Sequence, residues 1–135
     1  MKRITSLILT ALLLFSMAIP ASAAVKDEAQ LLYDNINAVS ADLSISSLGI
    51  ATCFGSVTAK DLYTVLVEVR LQMKEDGAWH TVKTFSSTGT MDAACTGYYA
   101  VYSGYQYRVY VTGYVYNSSG TIIESASCTY AVNYY

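Results

Sequence analysis

The chain is 135 residues long, carries a formal charge of −2 and is 53% hydrophobic, with thirteen tyrosines, three cysteines, one histidine and one proline. That length suits a single domain. The mild acidity and scattered charges argue against nucleic acid or an anionic membrane surface as partner.

Met1-Lys2-Arg3 is a short positive region, Ile4 to Ile19 is mainly apolar, and Pro20 ends the run before Ala21-Ser22-Ala23. This is the layout of a cleaved signal peptide over residues 1–23. A retained anchor is the competing reading, but the uninterrupted apolar part, Leu7 to Ile19, falls short of the ~20 residues that a bilayer span needs. Cleavage after Ala23 would leave 112 residues and, by removing Lys2 and Arg3, a charge of −4. The expected location is therefore extracellular, with no membrane segment in the mature form and no hydrophobic or sorting tail at Tyr135. Export also makes a disulfide permissible. With Cys53, Cys95 and Cys128, at most one intramolecular bridge forms, leaving one thiol to be buried or to link a second chain.

Residues 24–40 hold Lys26, Asp27, Glu28 and Asp34 among Leu31, Leu32, Tyr33 and Ile36, which predicts a short helix or an arm. The domain proper is expected over 41–135. Leu43-Ser44-Ile45-Ser46 alternates, and Ala51, Cys53, Gly55, Val57 and Ala59 place small residues on one face of a second strand. Tyr63 to Met73 alternates most cleanly, with Val65, Val67, Val69 and Leu71 set against Leu66, Glu68, Arg70 and Gln72, as in a central strand with one wet face. Lys74-Glu75-Asp76-Gly77 is a hairpin turn, and Trp79 to Phe85 is the return strand. Ser86 to Thr90 reads as a loop, and Met91 to Val101 as a weaker strand.

The stretch 101–117 places Gly104 in a corner ahead of the alternating Tyr107, Val109 and Val111. Eight of the tyrosines lie at 98, 99, 102, 105, 107, 110, 114 and 116. Asn117-Ser118-Ser119-Gly120 then turns the chain into a final strand over 121–132. The Asn-Ser-Ser sequon is read as a plain turn, given the bacterial style of the signal peptide.

Seven strand candidates at this spacing predict an all-β, antiparallel sandwich. Their order resembles the fibronectin type III and immunoglobulin-like sandwiches, in which a tyrosine near the start of the sixth strand bonds back to the preceding corner. Tyr107 occupies that position. Leu43-x-Ile45, Gly49-x-Ala51-x-Cys53, Leu71-Gln72, Gly77-x-Trp79-x-x-Val82 and Gly104-Tyr105-x-Tyr107-Arg108-Val109 also resemble a family of small secreted proteins of Gram-positive bacteria classed as a domain of unknown function. That resemblance implies a secreted β-sandwich and transfers no functional residue. In this fold class the second and fifth strands are neighbours, which favours Cys53–Cys95 as the bridge, with Cys53–Cys128 as the alternative.

Period-2 reading turns Tyr107 inward and Arg108, Tyr110, Tyr114 and Tyr116 outward, with Leu66 beside them and Glu68 as a cross-strand partner of Arg108. Tyrosine offers large contact area with few rotors, so this face is the candidate binding surface, for a surface glycan or a protein. Trp79 is read as a core residue beside its turn. His80 stands alone, the acids are dispersed, and neither Cys-x-x-Cys nor a Cys/His cluster occurs, so catalytic residues, metal and cofactor are all expected to be none. The leading expectation is a non-catalytic binding module. A structural or self-assembling protein is the alternative, and a small hydrolase is less favoured.

Overall fold

The computed structural model describes residues 33–132 and Tyr135; the expected signal peptide and residues 24–32 of the expected arm lie outside them. Seven strands follow in order: β1 (Ile36–Ile45), β2 (Ile50–Ala59), β3 (Thr64–Glu75), β4 (Ala78–Thr90), β5 (Asp92–Ala100), β6 (Gln106–Tyr116) and β7 (Ile122–Val132). They pair antiparallel as a three-stranded sheet, β1-β2-β5, and a four-stranded sheet, β4-β3-β6-β7. The expected seven-stranded sandwich is the architecture observed.

The alternating sequences explain the core. Val65, Val67, Val69 and Leu71 of β3 and Tyr107, Val109, Val111 and Val115 of β6 are fully buried, facing Ala51, Cys53 and Val57 of β2. Glycine sets the spacing between the layers. A Cβ on Gly113 would come within 2.5 Å of Val57, and one on Gly55 within 2.6 Å of Val69, so both positions need a bare backbone.

Three sequence readings change. Ile36 to Ser40 belong to β1 rather than to a helix or arm, because Ile36 is buried in the core and the start of the strand is held across the sandwich. Glu124 of β7 accepts the backbone N–H groups of Asp34, Asn35 and Ile36 at 2.8, 2.7 and 2.7 Å. A bulge between Val115 and Tyr116 pairs Glu124 with Val115 and so turns that carboxylate inward. Second, residues 86–90 continue β4 instead of forming a loop. The switch into β5 is made by Met91 alone, at φ 69°, with its N–H on Tyr63 and its carbonyl accepting from Ala59.

Third, Trp79 is not a core residue. Leu71 pairs with Lys83 but Gln72 pairs with Thr81, so Val82 is an extra residue on β4. Beyond this bulge every β4 side chain changes face, and Trp79, opposite Lys74, lies on the outside. The turn that follows β3 is as expected: Glu75 pairs with Ala78, and Asp76 and Gly77 both have positive φ, 51° and 78°, as a two-residue type I′ hairpin requires.

Candidate functional site

The outer face of the four-stranded sheet is assembled from cross-strand rows. On β3 and β6, Thr64 faces Tyr116, Leu66 faces Tyr114, Glu68 faces Thr112, Arg70 faces Tyr110 and Gln72 faces Arg108. On the flanks, β4 contributes Trp79, Thr81, Thr84, Ser86 and Thr88, while β7 contributes Ser125, Ser127 and Thr129. Hydroxyl-bearing columns thus border a central aromatic and cationic strip.

The structure brings Arg108, Tyr110, Tyr114, Tyr116 and Leu66 onto this one face, and all five are half-buried rather than fully exposed. Arg108 lies with its guanidinium carbon 4.4 Å from the Trp79 ring centre and 5.8 Å from that of Tyr110. Arg70 lies 5.2 Å from Tyr110 on its other side, and Lys74 5.7 Å from Trp79. Such contacts contribute ~0.5–1 kcal/mol each at exposed sites.

The expected Glu68–Arg108 pairing is replaced by another. Glu68 sits opposite Thr112, and its Oε1 is 2.7 Å from Nε of Arg70, two positions along the same strand face, at an angle that makes no hydrogen bond. Arg108 instead donates from Nε to Oε1 of Gln72 at 2.7 Å. Gln72 is itself held by donating from Nε2 to the Thr81 hydroxyl at 3.1 Å. This buried amide therefore aims its oxygen at Arg108 and fixes the guanidinium over Trp79. At the far end of the strip, Thr64, Leu66, Thr88, Tyr116 and Asn117 line a shallow cleft of about 330 Å³.

Tyr107 belongs to the other face of β6 and to the corner before it. Its hydroxyl donates to the carbonyl of Tyr102 at 2.8 Å and accepts the Tyr102 N–H at 3.0 Å. Burial pushes its phenol pKa up, opposed by the Tyr102 hydrogen bond.

The cysteines are free thiols. Cys53 is opposite Gly97 and Cys95 opposite Gly55, so they are diagonal neighbours on one inward face, not a facing pair. Diagonal positions lie ~7–8 Å apart, beyond the reach of a disulfide without backbone movement. Cys128 is on β7, which packs against β1 rather than β2. Desolvation, with Cys95 nearby as a second cause, pushes the Cys53 thiol up to about 11, and burial raises Cys95 and Cys128 as well.

A second surface was not singled out from sequence. Leu48, Tyr98 and Tyr102 are 88%, 67% and 77% exposed, with Ile50 beside them, at one end of the three-stranded sheet. Val101 N–H bonds Gly49 carbonyl there, joining the two loops that carry Leu48 and Tyr102. On β5 and β2, Tyr98 is opposite Thr52 and Ile50 opposite Ala100, so Tyr98 and Ile50 are diagonal neighbours on the outer face, a placement that only the register reveals.

His80 is exposed on β4, and among the described residues no group of three His, Cys, Asp or Glu could hold a metal ion. No protein-family model and no curated protein sequence matches the chain.

Proposed function

We propose that the protein is an exported, non-catalytic binding module whose contact surface is the outer face of the β4-β3-β6-β7 sheet. The observation that supports this most is the ladder Trp79–Arg108–Tyr110–Arg70, which gathers aromatic and guanidinium groups onto one solvent-facing strip. These are the residue types that dominate binding energies at protein surfaces, because they offer large area and directional donors with few rotors. We read the signal-like segment 1–23 as an export signal, and outside the cell surface glycans and surface proteins are the available partners. The test is a Tyr110→Ser/Tyr114→Ser double variant, assayed for adsorption to cells of the source organism and to a panel of surface polysaccharides. Loss of adsorption with a cooperative thermal transition retained supports the reading; unchanged adsorption places the contact elsewhere.

Self-assembly is a second reading, supported by the exposed end patch of Leu48, Ile50, Tyr98 and Tyr102. Sedimentation over a wide concentration range tests it. A Leu48→Ser/Tyr102→Ser variant should shift an oligomer toward monomer, and a wild-type protein that is monomeric throughout removes this reading.

A further inference from the structure

Charge on the proposed face is uneven in a way that points to its ligand. Three of the five cationic side chains among the described residues, Arg70, Lys74 and Arg108, point outward from this sheet. Glu68 is the single carboxylate at its outward strand positions; Glu75, the last residue of β3, falls on the alternation of Leu71 and Met73, and Asp76 lies in the turn. A cationic strip on an acidic chain is a local feature with a local purpose.

Arg70 and Arg108 differ within that strip. Arg70 has Glu68 as its counter-charge. Arg108 has no carboxylate within ion-pair distance among the described residues, although it is held in place from two sides by Gln72 and Trp79. Gln72 engages Nε alone, so the Gln72 bond leaves both terminal nitrogens of the guanidinium available to an incoming anion. A guanidinium fixed in this way has little rotamer freedom left to lose and matches the two oxygens of a carboxylate.

The remainder of the strip suits sugar rings. Tyr110, Tyr114 and Tyr116 run along β6 over ~20 Å, at ~3.4 Å per residue. Ser and Thr columns flank them, and the run ends in the shallow cleft at Tyr116 and Leu66. An acidic peptide would be anchored by side chains in enclosed pockets or by pairing at a strand edge, whereas this strip lies mid-sheet and its cleft is broad and open.

Resting on the reading of this face as a binding surface, we propose that it takes an acidic polysaccharide built of uronic acid residues, with one carboxylate on Arg108 and successive rings lying on Tyr110, Tyr114 and Tyr116. Binding of the purified protein to polygalacturonate, to its methyl-esterified form, to a neutral polysaccharide and to polyglutamate tests the proposal by affinity electrophoresis and calorimetry. Esterification keeps the rings and removes the charge. The expected result is binding of polygalacturonate at least tenfold tighter than of the ester, weakened by added salt. Arg108→Gln should remove that preference, and Arg108→Lys should restore it only in part, since lysine lacks the bidentate fork. Equal affinity for acid and ester, failure to bind polygalacturonate, or a preference for polyglutamate overturns the proposal. If a neutral polymer binds, is lost in the Tyr110→Ser/Tyr114→Ser variant and is indifferent to Arg108→Gln, the face stands and the acidic ligand falls. If polygalacturonate binds that tyrosine variant as well as the wild type, both fall.

Discussion

Replacing Tyr107 by Phe tests how the crossover from β5 to β6 is held. The ring is 1% exposed and packs in the core, so phenylalanine fills the same space and only the hydroxyl is lost. That hydroxyl makes two hydrogen bonds to the backbone of Tyr102, at 2.8 and 3.0 Å. A net contribution of ~0.5–1.5 kcal/mol for each gives a loss of about 1–3 kcal/mol. In a domain of this size each kcal/mol moves the melting midpoint by ~4–8 °C, so the variant should melt roughly 5–20 °C lower. Urea unfolding followed by tryptophan fluorescence is the assay, read as a lower midpoint with an unchanged m-value. Tyr102→Ala is the control: its ring is 77% exposed and its backbone carries the bonds, so its stability should change by less than ~0.5 kcal/mol. A Tyr107→Phe variant as stable as the wild type, or a Tyr102→Ala variant as unstable as Tyr107→Phe, refutes this account.

Trp79→Ala should cost about 1 kcal/mol, the scale of its cation–π contacts, rather than the ~3–5 kcal/mol of a core tryptophan; a core-sized loss in calorimetry would return Trp79 to the interior. Glu124→Gln should cost about 2 kcal/mol by weakening three charge-assisted bonds and should speed amide exchange of Asn35 and Ile36; unchanged exchange there would dismiss the clamp. For Cys53 the folded pKa of about 11 exceeds the ordinary 9.0, so the fold favours the protonated thiol. Its contribution is complete below pH 9 and is lost as pH rises toward 11, by at most ~2.7 kcal/mol. Under reducing conditions the stability of Cys53→Ala should fall less steeply over that window than the wild type's; parallel curves refute the assignment.

Most of the sandwich was legible because period-2 alternation survives wherever one face is buried, as in Val65 to Leu71 and Tyr107 to Val111. The failures trace to single residues that break the period. Val82 is one residue too many for β4, and it moves Trp79 from the predicted core to the outer face of the sheet. Ile123 does the same near the start of β7, and it turns Glu124 inward to meet β1. No local pattern in residues 34–40 announces a strand, because what holds them lies far along the chain: Ile36 pairs with Ala59 and Ser40 with Ser56, and the Asp34 N–H meets the Glu124 carboxylate 90 positions on. The Ser86–Thr90 stretch looked like a loop because Ser, Thr and Gly favour turns, yet pairing with β3 overrides that preference. The ladder was half legible: the row on β6 followed from alternation, while Gln72 as the support of Arg108 required the register.

The carboxylate of Glu124 also sets an order of events. It grips residues that the ribosome, or an export channel feeding the chain N-terminus first, delivers some 90 positions earlier. The opening strand therefore cannot be secured along its outermost residues until the closing strand has emerged. Until then its first amides remain unclaimed, and a chain cut short of β7 would leave them bare as a sticky end. Completion of the domain is thus a zip-fastener closed from the far end, and the final hairpin works as the catch.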